Sequence, residues 1–276
     1  MIESIEKRVS VRTFQKKALT KEDEKKVQTI IDELKHLKGP FGHSIHLFFY
    51  ETPHINDTQS QIGTYGFVKN YKAFVAGKTV NTFEGLIDFG FIFEHVILKL
   101  TELGLGTVWL GGTFNRGIFD PMKSYNEVIP AITPVGYPSS KKSLRETIIR
   151  RAAKGDLRKP FETLFFHKDF NHPLSPTHPY AKYLKLIQVG PSASNKQPWR
   201  CIVEDNIIHL YLERTPGYGK SLPFDIQALD IGIAISHLLL SLNDDHIKYQ
   251  LIYHLDINPQ NELIRVISVK ILNKKD

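Results

Sequence analysis

Between Pro191 and Gln197 the chain reads P-S-A-S-N-K-Q, and Pro198-Trp199 then hand it into the strand-like run Arg200-Cys201-Ile202-Val203. Proline fixes φ without offering a donor. The serines Ser192 and Ser194, with Asn195 and Gln197, supply hydroxyl and amide groups around Ala193 that suit a flat ligand with a polar edge. The same residues also suit a plain turn between a helix and a strand. A second set stands near the start, where Arg8, Ser10 and Arg12 alternate with Val9 and Val11. If this piece is extended, period two puts the three polar groups on one side, and two guanidiniums beside a hydroxyl make a phosphate grip. A solvated basic edge is the alternative. The run G-L-G-T-V-W-L-G-G ends on the pair Gly111-Gly112, which lets backbone N–H groups come close to a ligand. Lys141, Lys142 and Arg145 form a basic cluster after Pro138, suited to phosphate or to plain solvation.

Two look-alike motifs fail on spacing. A dinucleotide fingerprint beginning at Gly104 would need its third glycine where Trp109 stands, and a P-loop ending in Gly219-Lys220-Ser221 would need a glycine at Arg214. His43 and His46 have no third ligand beside them in a strand-like segment, so they are read as structural and no metal site is expected. His167, His172 and His178 fall in a proline-punctuated connector and are read as loop residues.

These groups need elements to hold them. Thr20 followed by Glu22, Asp23 and Glu24 predicts a helix start, with Val27, Ile30, Ile31, Leu34 and Leu37 on its buried face, ended by Gly39-Pro40. Strands are expected at 45–50, 72–77 and 132–137, a central apolar helix at 83–103, and a basic helix at 150–166. Past the connector at 167–179, strands are expected at 200–204, 207–212, 247–254 and 263–272, with a second apolar helix at 225–242.

The chain has 276 residues, 41% hydrophobic and 24% charged, enough for a large core. No apolar run is read as a membrane span, no secretory h-region follows Met1, and the single Cys201 cannot form an internal disulfide. A cytoplasmic protein is expected. The net charge of +7 is spread along the chain without a nucleic-acid-binding signature, so neither nucleic acid nor membrane is expected as a partner.

Asp88, Gly90 and His95 in the first apolar helix match Asp230, Gly232 and His237 in the second at one constant offset. Gly39-Pro40 before a strand likewise parallels Gly190-Pro191. These matches predict a duplicated α+β unit, residues 1–166 and a shorter copy at 180–276, packed as one intimate pseudo-dimer. The polar motifs are shared unequally between the halves, which predicts a single composite site at their interface.

R-x-S-x-R-x-F, G-L-G-T-x-W-x-G and P-S-x-x-N-x-Q-P-W together resemble the nitroreductase family of FMN enzymes, in a single-chain form whose halves mimic the usual homodimer. In ordinary members the P-S-x-x-N-x-Q-P-W motif follows the first helix. Here it stands in the second copy, as a fusion of two subunits would allow. The resemblance implies an α+β nitroreductase-like fold, each copy with a mixed or antiparallel sheet around a central buried helix. It implies FMN as cofactor, with Arg8, Ser10, Arg12, Lys141 and Lys142 toward its phosphate and ring edge. Pro191, Ser192, Ala193, Ser194 and Asn195 would lie along the ring and ribityl chain, with Gln197 nearby and Gly111 or Gly112 facing the ring nitrogen N5. It further implies ping-pong hydride transfer from NADH or NADPH through the flavin to a nitroaromatic or quinone-like acceptor, without a catalytic side chain, in a monomeric pseudo-dimer. A flavin-binding or sensory protein without turnover, and a related flavoenzyme reaction such as reductive dehalogenation, are the alternatives.

Overall fold

A computed structural model of the chain describes residues 1–51, 68–117, 124–140, 157–254, 258 and 260–272. After the short helix α1 (Ile2–Lys7), α2 (Lys21–Leu34) starts where expected. The Thr20 hydroxyl accepts the Asp23 N–H at 3.1 Å, and Val27, Ile30, Ile31 and Leu34 are buried. Two-faced burial explains the apolar run of β2 (Ala73–Val80), which lies between β1 (His46–Glu51) on one side and β3 (Glu127–Val128) with β4 (Ile132–Val135) on the other. All three pairings are antiparallel.

The second sheet has the order β5-β6-β7-β9-β8, built from β5 (Phe165–His167), β6 (Trp199–Glu204), β7 (Ile207–Glu213), β8 (Tyr249–Tyr253) and β9 (Leu263–Ile271). Its β5–β6 pair is parallel and the rest are antiparallel, so the sheet is mixed. The helix α4 (Ala181–Gln188) precedes the Pro191 loop. The expected basic helix at 150–166 is corrected over its described part. Residues 157–160 have no regular structure, 161–163 form a 3-10 turn and β5 follows, because Pro160 ends any helix and Phe165 pairs with Cys201. The five-stranded sheet thus begins inside residues 1–166.

Between the sheets run two helices, α3 (Phe83–Glu102) and α5 (Ile226–Asp244), both buried along nearly their whole length. On length and composition α5 could cross a membrane, against the expectation of no such span, yet 89% of its apolar window lies inside the protein. The helices cross through Gly90 and Gly232, where a side chain on either would strike the partner helix's backbone. Near the crossing Glu94 Oε1 lies 3.0 Å from His237 Nε2, and Ser236 Oγ lies 3.2 Å from His95 Nδ1. Exchanging the helices at the constant offset carries the first contact onto the second.

Candidate functional site

One cavity of about 450 Å³, within the size range of small-molecule sites, is lined by segments far apart in the sequence. Its first wall is the N-terminal arm. Ser10 bridges to Thr107, and Val11 donates its N–H to the Thr107 carbonyl at 2.8 Å, which holds residues 8–12 extended beside the glycine-rich run. Val11 packs against Gly106, where a β-carbon would stand 2.9 Å from Val11 Cγ1. The period-two expectation therefore holds: Arg8, Ser10 and Arg12 all line the cavity.

Arg8 is anchored from behind. Its side chain is buried, its Nε has no hydrogen-bond partner, and Glu94 Oε1 lies 3.9 Å away. Burial pushes the guanidinium's pKa below its ordinary value, and the Glu94 charge works against that shift. Trp109 Nε1 donates to Glu94 Oε2 at 2.8 Å. His237 Nδ1 donates to the Leu186 carbonyl at 2.8 Å, and its Nε2 lies 3.0 Å from Glu94 Oε1. Trp109 and His237, far apart in the sequence, thus flank the carboxylate that lies 3.9 Å from Arg8.

Gly111 and Gly112 form part of the lining. A β-carbon at Gly111 would stand 3.1 Å from Ile226 Cδ1, whereas at Gly112 nothing lies within 4 Å. Backbone at Gly112 is therefore open to close approach by a ligand.

The opposite wall is the loop with Pro191, Ser192, Ala193, Ser194 and Asn195, all lining the cavity. Ser194, Asn195 and Gln197 have φ of 47°, 53° and 48°, a left-handed stretch that non-glycine residues hold only when surroundings over-determine it. The surroundings do so. Ala193 N–H donates to Asp230 Oδ1 at 2.9 Å, Asn195 Nδ2 to the Leu157 carbonyl at 2.8 Å, and the Tyr218 hydroxyl to Ser194 Oγ at 2.9 Å.

Gln197, expected near the ligand, is not among the residues that line the cavity but is bonded to one that does. It is buried, its Oε1 accepts the Lys159 N–H at 2.9 Å, and its backbone N–H donates to Ser192 Oγ at 2.9 Å. Its amide ties the loop to the 157–160 segment. Lys141 and Lys142 lie outside the described residues.

Sequence reasoning missed Arg158, Asp230 and Tyr218, which also border the cavity. Arg158 is held by the Val189 carbonyl at 3.0 Å and by Asn195 Oδ1 at 3.4 Å, so its guanidinium joins those of Arg8 and Arg12. Its signal was the R-K-P sequence, in which proline fixes the chain direction just past two cations. Tyr218 sits between Gly217 and Gly219, with φ of 73° and 78°, on the loop that resembled a P-loop. Among the described residues no group of three or more His, Cys, Asp or Glu is placed to hold a metal. His43 Nδ1 lies 2.9 Å from Asp88 Oδ2.

Residues 1–242 match the family described as "Putative TM nitroreductase". The chain belongs to this nitroreductase family. Among solved structures, a protein from Thermotoga maritima named as a putative nitroreductase is 19% identical to this family member, covering 98% of this chain and 93% of its own at a TM-score of 0.57. That likeness shows the nitroreductase-like α+β fold. A nitroreductase family protein from Clostridium novyi NT (23% identical, 51% of this chain and 88% of its own, TM-score 0.40) is also similar in part. So is an FMN-dependent nitroreductase from Clostridium difficile R20291 (20% identical, 52% and 90%, TM-score 0.41). No curated protein matches the chain.

Proposed function

We propose that this nitroreductase-family chain is an FMN-dependent oxidoreductase that takes hydride from NADH or NADPH and delivers electrons to nitroaromatic or quinone-like acceptors. The observation that carries it is that Arg8 and Asn195, far apart in sequence, border one cavity. Residues present suit FMN: three guanidiniums for a phosphate and an electron-rich ring edge, an open backbone at Gly112, and buried polar atoms at Arg8 Nε and Asp230 Oδ2 without partners.

Bound FMN would supply hydride and electron transfer, the chemistry that no side chain here offers. Arg8, Arg12 and Arg158 would hold the phosphate and favour negative charge on the ring. Ser192, Ala193, Ser194 and Asn195 would bind along the ring and ribityl chain on a loop whose conformation is set in advance, and Leu110, Leu229 and Ile233 would keep water from the cavity wall. No side chain is assigned a nucleophile's role. We further propose that residues 1–166 and 180–276 are fused copies of one unit and that the protein is a cytoplasmic monomer. The paired contacts between α3 and α5 support the first point.

The test is the visible absorption spectrum of the purified protein, reconstituted with FMN, before and after anaerobic NADH or NADPH. A flavin spectrum that bleaches with nicotinamide and returns with a quinone is expected. Failure to bind FMN at all would sink the reading.

A further inference from the structure

Asp88 and Asp230 occupy matching positions on the two central helices and do matching work: each accepts a backbone N–H from the loop that follows a Gly-Pro pair. Their outer oxygens differ. Asp88 Oδ2 accepts the His43 N–H at 2.8 Å and lies 2.9 Å from His43 Nδ1, so that carboxyl is fully used. Asp230 Oδ2 is buried and has no hydrogen-bond partner, and Asp230 borders the cavity. A buried carboxyl oxygen left unpaired costs more than a typical hydrogen bond gains, so its retention on one copy alone calls for a partner from outside the chain.

We propose that Asp230 is a ligand-binding residue, whose neutral carboxyl donates Oδ2–H to a carbonyl oxygen or ring nitrogen of the heterocycle in the cavity. The inference rests on the flavin reading of that cavity. Burial raises the pKa of Asp230 well above the ordinary carboxylate range, partly offset by the Ala193 N–H and reinforced by the Asp225 charge. Tyr218 is the other titratable group close enough to feel it, and the cavity's cations are Arg8, Arg12 and Arg158. A neutral acid donates where a carboxylate would repel a ring carbonyl, so the proton decides whether the contact attracts.

FMN titrations followed by quenching of flavin fluorescence, across pH, test this on wild type, Asp230→Asn and Asp230→Ala. Wild-type affinity is expected to fall as pH rises through the titration of Asp230. Asp230→Asn, which keeps both the acceptor for Ala193 and a donor, should bind within about threefold of wild type with that pH dependence removed, and Asp230→Ala should bind about tenfold more weakly. FMN-loaded minus FMN-free difference infrared spectra should show a protonated carboxyl band that shifts on loading and is missing from Asp230→Asn, a signal that mere support of the loop would not produce. Wild type that binds FMN with no carboxyl band moving, or variants that keep wild-type affinity and pH dependence, overturns this inference while leaving the flavin site intact. Wild type that binds no FMN overturns both.

Discussion

Gly90 of α3 and Gly232 of α5 meet where the two helices cross: a β-carbon on Gly232 would stand 2.8 Å from the Gly90 Cα and would collide with the Ile87 carbonyl. The reciprocal clash at Gly90 is with the Leu229 carbonyl. Because the obstacles are backbone atoms, no rotamer change relieves them, and the helices that support both walls of the cavity would have to separate. Gly232→Ala should therefore cost about 3 kcal/mol or more, read as a lowered urea midpoint at unchanged slope. A loss under about 0.5 kcal/mol, the usual scatter of surface substitutions, would show that the crossing is looser than this contact implies.

Arg8 and Arg158 approach the cavity from different segments of the chain. If both guanidiniums serve an anionic ligand, Arg8→Ala and Arg158→Ala should each weaken FMN binding by about tenfold or more, since hydrogen bonds to charged groups are the strong ones. Lysine at either place should restore only part, lacking the planar fork. Equilibrium dialysis at fixed ionic strength measures the effect, with thermal unfolding as the check on folding. A change of twofold or less at Arg158 would remove it from the ligand's contacts.

The place beside Asp88 that matches the one beside Asp230 is filled. Both oxygens of Asp88 are used, Phe41 packs edge-on against Tyr253 at 5.7 Å, and the Tyr253 hydroxyl donates to the Pro40 carbonyl at 2.7 Å. FMN titration should accordingly saturate at one molecule per chain. A stoichiometry of two would mean that this packing opens to admit a second ligand.

The buried Asp230 carboxyl makes stability depend on pH with a definite sign. Its folded-state pKa is raised, so the native state holds a proton that the unfolded chain releases. Stability from this group is therefore full below the ordinary aspartate value of about 4 and is lost as pH rises toward the raised folded value. Urea unfolding of the FMN-free protein across that window should show wild type losing stability relative to Asp230→Asn as pH rises. Parallel curves would indicate that Asp230 is ionised in the fold.

Much of the architecture could be read from residue order. Thr20, Asp225 and the i, i+3, i+4 spacing of aliphatic residues set helix positions because capping and amphipathic periodicity act within a few residues. The alternation in Arg8, Ser10 and Arg12 put three polar groups on one side of an extended segment, and all three line the cavity. The constant offset between the two apolar helices marked both as central.

What depended on contacts between distant segments was not legible. Arg158 reaches the cavity only because its segment is tied to the Asn195 loop, and Gln197, of the same chemical type as its neighbours, is turned inward by Lys159. Local rules rank residue types and spacings, so they singled out the polar loop. They carry no information on which side of that loop meets another part of the chain. The different surroundings of Asp88 and Asp230 make the point most clearly: one residue type in one recurring sequence pattern is satisfied at Asp88, where the chain brings His43, and keeps a buried oxygen without a partner at Asp230, which borders the cavity.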